Sequence, residues 1–517
     1  MESVVAVIDI GMTNKKVAVY DRRLRALESE SRTFDPIRVE GLDSHDLAGM
    51  ETWFLDRLAA YGRRYSIEAI AVTTHGASFV CIGDNGMPAA PCIYYTHEPG
   101  EEFHRRFYEL AGDPVELQAR TGTPGLSALI NPAQGLFFLK ERFPKALART
   151  KVLLNYPQYW GYRLTGVTGA EGTYTGCHSY LWDWERSRFS SVAEALGVAD
   201  RMPREISNSW AVLGRLKPEL AERTGLDPAT LVTMGIHDSN ASLLPHIVKR
   251  AGRDFILNST GTWCVLMHPQ EEYRFSAGEL GKVVFFNRSA FNKPVKTAIF
   301  LGGLEYEKWS GIVAVRAASA ALPAPTPEDY ARLTREASVF ILPELVPGSG
   351  QFPGSRPRAV EAGREYALPD IESGRSVPVF MQEPRLAMAA LNLSLALQTL
   401  VALERSGLER GTDVFTEGGF RRNPDYNGII AAALPGNAVF LTDIAEATAF
   451  GAAMTALAAL SGGSPDGLRD RFEIDYKPVL PMPALAELDT YREAWTRLAA
   501  PSRAAPAGSA PHEGDRR

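Results

Sequence analysis

Short apolar runs and longer helical stretches alternate along the first half of the chain. Residues 4–10 and 17–21 are runs rich in valine and isoleucine, and a turn at 11–14 that contains a glycine separates them. Short β-branched runs are typical of buried strands, so the pattern predicts a strand, a glycine turn and a second strand. A helix is predicted over 46–64 and a strand over 67–73. The alternation continues as far as Leu244, which indicates a mixed α/β layer.

The second half repeats this pattern. A strand predicted over 255–258 leads into a turn rich in hydroxyl groups, and residues 384–405 form a long apolar stretch. Pro384 suits the first turn of a helix and Gly407 lies just past its end, so a helix is predicted over 384–405. A helix this apolar should be buried on most of its surface. The remaining elements predicted here are a strand over 413–416, a helix over 424–434, a strand over 438–442 and a helix over 446–460.

Two domains are predicted from the chain length and from the similarity of the two halves. The 517 residues exceed what one compact core accommodates, and a strand followed by a glycine–threonine turn opens each half. Two similar domains facing a shared cleft would produce this arrangement, with boundaries at 1–245 and 246–490. Residues 318–328 and 347–358 are rich in proline and are predicted to be surface loops. The tail, 501–517, is predicted to be disordered.

Composition and charge exclude several classes of function. Hydrophobic residues are 45% of the chain and charged residues 22%, with a net charge of −6, so nothing favours binding to a nucleic-acid backbone. The four cysteines are scattered without a Cys-x-x-Cys pair, and we expect neither a zinc site with a nearby histidine nor a disulfide framework. No basic region precedes an apolar stretch at the N-terminus, and no apolar window of about 18 residues is expected to span a bilayer. These features predict a cytoplasmic protein with no membrane partner.

Candidate chemistry begins in the first glycine turn, which has the pattern Asp9-x-Gly11-x-Thr13-x-x-Lys16. Gly11 lets the backbone approach an anion closely. Thr13 offers a hydroxyl and nearby amides to phosphate oxygens, and Asp9 is an oxygen ligand of the kind that hydrated Mg²⁺ prefers. The alternative is an ordinary hairpin turn without a ligand.

Two similar segments occur in the second half. Ser259-Thr260-Gly261-Thr262 directly follows a predicted strand and is a candidate cradle for terminal phosphates. The stretch 416–423 contains two glycines that would let the backbone pass close to a flat ligand such as adenine. The alternatives are an ordinary turn for the first segment and a helix-capping role for Asn423 in the second.

A fourth segment, 235–239, places Asp238 at the predicted start of a helix. The helix dipole stabilises a carboxylate there, so Asp238 is either a helix-capping residue or a catalytic base. Phosphoryl transfer from ATP requires Mg²⁺, a phosphate cradle, an aligned acceptor and one carboxylate that accepts the hydroxyl proton. The four segments together offer each of these parts.

In this order the four segments resemble the FGGY carbohydrate kinases, which belong to the actin-like ATPase superfamily. The matches span residues 9 to 453, nearly the whole predicted folded chain. The resemblance implies an α/β fold of two actin-like (ribonuclease H-like) domains, an interdomain catalytic cleft, and ATP and Mg²⁺ as cofactors. Met12 departs from the family pattern, because threonine or serine usually follows that glycine.

The resemblance also implies roles for individual residues. His75-Gly76 resembles the sugar-contacting His-Gly of the family, and Gln158 stands where relatives often have Lys-Asp. Residues 94–98 replace the family's Trp-x-Asp-x-Arg stretch, so His97 or Glu98 is expected to provide that sugar contact. The implied ATP and phosphate contacts are Gly11, Thr13, Asn14, Lys16, Thr260, Gly261, Thr262, Gly418, Gly419, Phe420 and Asn423, with Asp9 for Mg²⁺. The implied sugar contacts are His75, Gly76, His97, Gln158, His237 and Asp238, with Asp238 as the catalytic base.

The implied function is ATP-dependent phosphorylation of a sugar hydroxyl. The stretches 237–239 and 260–263 most resemble kinases of L-rhamnulose and L-fuculose, so a ketose or deoxy-ketose is expected. Two alternatives stay open. One is an actin-like ATPase that assembles into filaments or a chaperone-like machine. The other is a catalytically weak relative that serves as a sugar-responsive binding subunit, which Met12 and the missing Trp-x-Asp-x-Arg stretch favour modestly. A homodimer is compatible with either.

Overall fold

The computed structural model of the chain describes residues 1–319, 321–483 and 485–500, and each half is built around a mixed sheet. In the first half the strands are β1 Glu2–Ile10, β2 Asn14–Asp21, β3 Ala26–Thr33, β4 Ile37–Val39, β5 Leu42–Ser44, β6 Tyr65–Thr74, β7 Phe79–Ile82, β8 Val152–Asn155, β9 Ala170–Glu171, β10 Trp182–Asp183, β11 Arg188–Phe189, β12 Ile206–Ser207, β13 Val212–Arg215, β14 Leu231–Thr233 and β15 Ile236–His237. The helices are α1 Leu47–Gly62, α2 Glu101–Ala111, α3 Pro114–Thr121, α4 Pro132–Arg142, α5 Pro144–Ala148, α6 Tyr156–Thr165, α7 Gly172–Thr175, α8 Ser191–Leu196, α9 Pro218–Thr224 and α10 Asp238–Lys249.

The second half has fewer strands and longer helices. Its strands are β16 Phe255–Thr260, β17 Cys264–Pro269, β18 Val284–Arg288, β19 Pro294–Phe300, β20 Val339–Leu342, β21 Arg358–Glu361, β22 Arg364–Ala367, β23 Asp413–Gly418, β24 Val439–Thr442 and β25 Tyr476–Pro478. Its helices are α11 Gly302–Arg316, α12 Pro327–Glu336, α13 Leu368–Ser373, α14 Pro384–Arg405, α15 Pro424–Ala433, α16 Ala447–Ser461 and α17 Leu488–Ala499.

The two main sheets repeat one arrangement of strands. The first has the order β13-β14-β6-β1-β2-β3, with β15 also paired to β6, and the second has the order β18-β19-β17-β16-β23-β24-β25. β1 runs antiparallel to β2 and parallel to β6, as β16 runs antiparallel to β17 and parallel to β23. The strand–turn–strand opening predicted for the first half and the strand and turn predicted for the second are therefore confirmed, and β17 adds a second antiparallel strand after the second turn. The repeated topology is that of a two-domain actin-like fold.

Helix α14 is the centre of the second domain. Its bounds coincide with the predicted 384–405, and it packs among large buried side chains that include Trp309 and Trp495. By length and composition alone it could cross a membrane, but 94% of its most apolar window is buried in the domain. The expectation that no apolar window reaches membrane-spanning length was therefore wrong, whereas the prediction of a buried helix is confirmed.

Helices α10 and α16 lie between the two sheets. Side chains of α16 such as Ala449 and Ala453 pack with Val5 and Ala71 of the first sheet, although α16 comes from the second half of the chain. Leu243 of α10 faces the second sheet. The predicted boundary at 245/246 falls inside α10, whose side chains pack on both sheets.

The predicted loops largely agree with the structure. Residues 347–357 contain no regular element, and β21 begins at Arg358. The predicted loop 318–328 is shorter, because α12 begins at Pro327 behind a capping box formed by Thr326 and Asp329. The tail predicted to be disordered lies outside the described residues.

Candidate active site

Asp238 stands at the first residue of α10, directly after the short strand β15. Its Oδ1 accepts hydrogen bonds from the backbone amide of Ser239 at 2.6 Å and from the Ser239 hydroxyl at 3.2 Å. The Nε2 atom of His237 is 3.3 Å from the same oxygen, and the Asp238 side chain remains 30% exposed. Burial raises the pKa of Asp238 above its ordinary value, while nearby His75 and the hydrogen bonds from Ser239 oppose that rise. This is a recessed carboxylate that still reaches solvent.

Asp9 lies near the end of β1, and further negatively charged side chains lie near it. It is opposite Lys16 in the β1–β2 register. Burial raises the pKa of Asp9 to about 7; Lys16 lowers it, and the carboxylates of Asp238 and Glu446 raise it. Lys16 Nζ is itself 2.8 Å from Glu446. Two further carboxylates and one lysine act on Asp9, and this surplus of negative charge on oxygen ligands fits a hard divalent cation such as Mg²⁺.

The first glycine turn is held from behind by a residue that sequence reasoning missed. The Gly11 amide donates to the Asn14 carbonyl at 3.0 Å, and Thr13 and Asn14 are exposed. Lys15 is buried, and its Nζ donates to the Met12 carbonyl at 2.7 Å. Burial lowers the pKa of Lys15 to about 8. Lys15 lies two residues before Val17 and four before Val19, so the period of a strand places all three side chains on the inward face of β2. This spacing is the signal in the sequence that Lys15 is buried.

His75 and Gly76 follow β6 and lie among histidines. The His75 Nδ1 donates to the Gly76 carbonyl at 2.8 Å, so its Nε2 carries no proton; that atom is buried without a hydrogen-bond partner among the described residues. Burial lowers the pKa of His75 to about 4. A methyl carbon placed on Gly76 would lie 2.8 Å from His237 Nε2 and 3.0 Å from His178 Nε2. Only glycine therefore fits between these two rings.

His178 is a second residue that sequence reasoning missed. Burial lowers the pKa of His178 to about 3 and that of His237 to about 4, so both rings are neutral near pH 7. Ligand atoms of Cys177, His178 and His237 lie within 4.8 Å of one another. The expectation of no histidine near a cysteine at metal-ligand distance was therefore wrong, and the adjacent Cys177-His178 pair was the overlooked signal.

His97 and Gln158, two implied sugar contacts, also contact other protein groups. The His97 ring packs edge-on against Phe138, with centroids 5.1 Å apart. The Gln158 side chain is fully buried, and its Nε2 donates to the Met234 carbonyl at 2.8 Å. That contact fixes the backbone just before Gly235. The Oε1 atom of Gln158 has no hydrogen-bond partner among the described residues, so the implied sugar contact of Gln158 stays a prediction.

In the second glycine turn, the hydroxyl of Thr260 forms hydrogen bonds with protein groups. The buried Thr260 hydroxyl donates to the Glu417 carbonyl and accepts the Phe420 amide at 2.9 Å. Thr260 therefore ties the end of β16 to the end of β23, and its phosphate contact stays a prediction. Gly261 and Thr262 are exposed beyond it.

Three glycine-containing segments meet at this second turn. A methyl carbon on Gly418, whose φ is +81°, would lie 2.0 Å from the Thr260 carbonyl oxygen. A methyl carbon on Gly303 would lie 1.9 Å from the Gly261 carbonyl oxygen. Gly303 is in the first turn of α11, so the positive end of this helix dipole adjoins the turn. Gly302-Gly303 was missed from the sequence, although it follows β19 as Gly418-Gly419 ends β23.

Phe420 and Asn423 build the wall next to this turn. Phe420 is buried against Tyr426, with ring centroids 4.8 Å apart. Asn423 Oδ1 accepts the Tyr426 amide at 3.0 Å, and its Nδ2 donates to Asn392 Oδ1 at 2.9 Å. The alternative reading of Asn423 as the cap of α15 is thus the geometry observed. Gly418 and Gly419 remain exposed.

Comparison with known proteins agrees with this geometry. Residues 4–245 match the family model for the FGGY family of carbohydrate kinases, N-terminal domain, and residues 252–463 match that for carbohydrate kinase FGGY, C-terminal domain. A crystal structure of a carbohydrate kinase from Novosphingobium aromaticivorans is 30% identical, with a TM-score of 0.77 over 96% of this chain and 97% of that one. A ligand-bound xylulose kinase from Lactobacillus acidophilus shares the fold, at 16% identity with a TM-score of 0.75 over 96% of this chain and 97% of that one.

Among curated proteins, a rhamnulokinase of Halalkalibacterium halodurans is 26% identical over 210 residues, which is 40% of this chain and 43% of that relative. The chain thus matches less than half the length of this relative. Two similar α/β domains with carboxylates and glycine turns at their strand ends define the class of two-domain carbohydrate kinases. The chain belongs to the FGGY family of carbohydrate kinases.

Proposed function

We propose that this protein transfers the γ-phosphoryl group of ATP to a hydroxyl of a ketose or deoxy-ketose, with L-rhamnulose and L-fuculose as the first candidates. The observation that carries the proposal is the placement of Asp238, a half-recessed carboxylate at a helix start next to His75 and Asp9. Membership of the family supports the reaction class, and the similarity to rhamnulokinases supports the substrate class. A cytoplasmic location, a homodimer and the absence of nucleic-acid and membrane partners remain predictions.

In the proposed reaction Asp238 accepts the proton of the sugar hydroxyl. The described hydrogen bonds to Asp238 engage Oδ1, which leaves Oδ2 for the sugar. As the proton moves to Asp238, the sugar oxygen forms a bond to the γ-phosphorus, and the bond from that phosphorus to the bridging oxygen of ADP breaks. Neutral His75, with its Nε2 free to accept, would hold a second sugar hydroxyl.

The phosphates and the nucleotide would be held from both domains. Gly11, Thr13 and Asn14 offer an exposed turn on the first domain, and Gly261 and Thr262 offer one on the second. Gly418 and Gly419 would line the adenosine side. Asp9 would hold Mg²⁺ directly or through water, and the bound ion would neutralise charge on the phosphates. Closure of the cleft over these groups would exclude water and so favour transfer over ATP hydrolysis.

Asp238→Asn is the test. We expect the variant to lose about 10²- to 10⁴-fold in sugar phosphorylation, the usual contribution of a general base, while its affinity for ATP stays near that of the parent. ADP release measured with a panel of ketoses, aldoses and polyols gives the rate and the substrate. Asp227→Asn is the matched control, because Asp227 is exposed, accepts only the Ala229 amide at 2.7 Å among the described residues, and asparagine can accept it equally.

The same assay separates the alternatives. A parental rate for Asp238→Asn would remove the catalytic assignment. Tight sugar binding without ADP release would select the sugar-responsive binding subunit. ATP turnover that ignores sugar and rises with polymerisation would select the actin-like ATPase.

A further inference from the structure

Cys177, His178 and His237 form a cluster of metal-ligand types next to Gly76 and Asp238. Their ligand atoms lie within 4.8 Å of one another, and Cys177 Sγ is 3.8 Å from His237 Nε2. Tetrahedral zinc with Zn–N bonds of about 2.0 Å and a Zn–S bond of about 2.3 Å spaces its ligand atoms about 3.3–3.6 Å apart. The distance between Cys177 Sγ and His237 Nε2 is already close to this value, so small side-chain rotations would bring the three ligand atoms to the spacing that zinc requires.

The local backbone brings the three side chains together. Cys177 and His178 follow α7, and His178 has a φ of +34°, a conformation that is uncommon for a residue other than glycine. His237 arrives from β15, and Asn240 contacts its Nδ1 at 3.4 Å. Both Nε2 atoms face Gly76, whose missing side chain leaves room between the rings. Gly76 and His178 are partly exposed, so an ion can enter from the cleft.

The surrounding charge suits a cation. Asp238 Oδ1 lies 3.3 Å from His237 Nε2, which is also a typical separation of two zinc ligands. Glu171 contributes a second nearby carboxyl group, and Arg288 offsets part of its charge. A thiolate with two imidazoles and a carboxylate is a donor set that favours zinc over magnesium.

We propose that Cys177, His178 and His237 bind Zn²⁺, and that the bound ion inhibits sugar phosphorylation by engaging Asp238. Binding releases the thiol proton of Cys177 to solvent, because the thiolate is the ligand. The ion holds His237 Nε2 and attracts the Asp238 carboxylate, which then no longer accepts a proton from the sugar. The proposed inhibition rests on the proposed function, whereas the proposed Zn²⁺ binding does not.

Metal binding is tested without any kinase assay. The full chain, treated with chelator and kept reduced with a phosphine, is titrated with Zn²⁺ by calorimetry and with Co²⁺ by absorption spectroscopy. We expect one ion per chain and a near-ultraviolet charge-transfer band that reports a cobalt–thiolate bond. Cys177→Ala should abolish the band and weaken Zn²⁺ binding by at least about 10- to 100-fold, the loss that even outer-shell partners produce. Cys81→Ala is the matched control, because Cys81 is equally buried but packs in a separate core.

Inhibition is tested second. With Mg-ATP saturating, Zn²⁺ should inhibit the parent and Cys81→Ala enzymes, and a chelator should restore the rate. Cys177→Ala should stay active at the same Zn²⁺ concentration. No bound ion, or binding that Cys177→Ala leaves unchanged, would overturn the site. A thiolate-bound ion with an uninhibited enzyme would overturn the inhibition, and an inactive parent enzyme with an intact cobalt band would overturn only the proposed function.

Discussion

At the scale of single residues, the protonation of Asp238 sets the expected pH dependence. Burial raises its pKa above the ordinary carboxyl value, and a general base works only when ionised. As pH falls through that raised pKa, the carboxylate is protonated, so kcat/KM should fall by about tenfold per pH unit. The acid limb should therefore lie at higher pH than an ordinary aspartate would give, in assays at saturating Mg-ATP.

His75→Gln separates this limb from substrate binding. His75 opposes the rise of the Asp238 pKa that burial causes, so removing it should move the midpoint of the acid limb to higher pH. The KM for the sugar should rise, because the Nε2 acceptor is lost. Loss of the acid limb in His75→Gln would assign the limb to His75 instead of Asp238.

Thr260→Val should weaken ATP binding through the backbone rather than through a lost phosphate contact. The substitution removes the hydroxyl that joins the Glu417 carbonyl to the Phe420 amide. Leaving these buried groups without a partner should lower the free energy of unfolding by about 1–3 kcal/mol. Urea denaturation and ATP titration measure the two effects.

Two variants control this experiment. Thr260→Ser keeps the hydroxyl and should retain ATP affinity. Thr416→Val removes a buried hydroxyl on the neighbouring strand β23 that has no hydrogen-bond partner among the described residues, so it should be nearly neutral. Equal losses in Thr260→Val and Thr416→Val would show that any polar-to-apolar change in these strands has the same effect.

The role of a residue was predictable from the sequence where a local motif fixes its position in the backbone. It was less predictable where tertiary contacts determine the hydrogen-bond partners of its side chain. The position of Asp238 after a strand and at a helix start followed from local pattern. Thr260 has a hydroxyl that looks available in the sequence, and its use depends on β23, which is 157 residues away along the chain. Gln158 and His178 depend on similarly distant partners. Such contacts leave no local trace in a single sequence.

At the scale of elements, the first turn of α11 explains why two glycines are needed after β19. Gly303→Ala should weaken ATP binding and destabilise the protein, because the added carbon would lie 1.9 Å from the Gly261 carbonyl oxygen and would displace the second glycine turn. Gly311→Ala in the same helix meets nothing within 4 Å. It should be neutral or stabilising by about 0.5–1 kcal/mol, because alanine favours helix. Similar ATP affinities for the two variants would exclude the close contact as the reason for Gly303.

The elements themselves were largely predictable from hydrophobic period. α14 was predicted with its observed bounds, because Pro384 marks the start of its long apolar run and Gly407 lies just past the end. β2 begins at Asn14 rather than at 17, since Lys15 and Lys16 pair with β1 through their backbones and Asn14 pairs with β3. α11 was not predicted, because its apolar residues follow no clear stripe.

At the scale of the whole molecule, one hydrophobic cluster is built from both halves of the chain. α16 comes from the second half of the chain, yet Ala449, Ala452 and Met454 pack on the first sheet. A methyl carbon on Gly451 would lie 1.8 Å from the Ala241 carbonyl oxygen, so α16 and α10 are in backbone contact. The similarity between the two halves of the sequence predicted two similar domains, but not that a helix of the second half packs on the first sheet. The apolar pattern of a helix does not indicate which sheet the helix covers.

The shared core predicts that the first domain does not fold alone. Residues 1–250 expressed alone expose the sheet face that α16 covers, so we expect aggregation or a urea transition without cooperativity. The same fragment joined by a flexible linker to residues 443–475 regains α16 together with Phe472 and Ile474, which complete that cluster, and should unfold cooperatively. Joining 424–442 through the same linker is the control, since Ile429 and Ile430 of α15 pack in the second domain. A cooperative transition for 1–250 alone would mean that α16 docks on a domain already stable without it. The coupling between helix α10 and the second half would then have to come from the cleft itself.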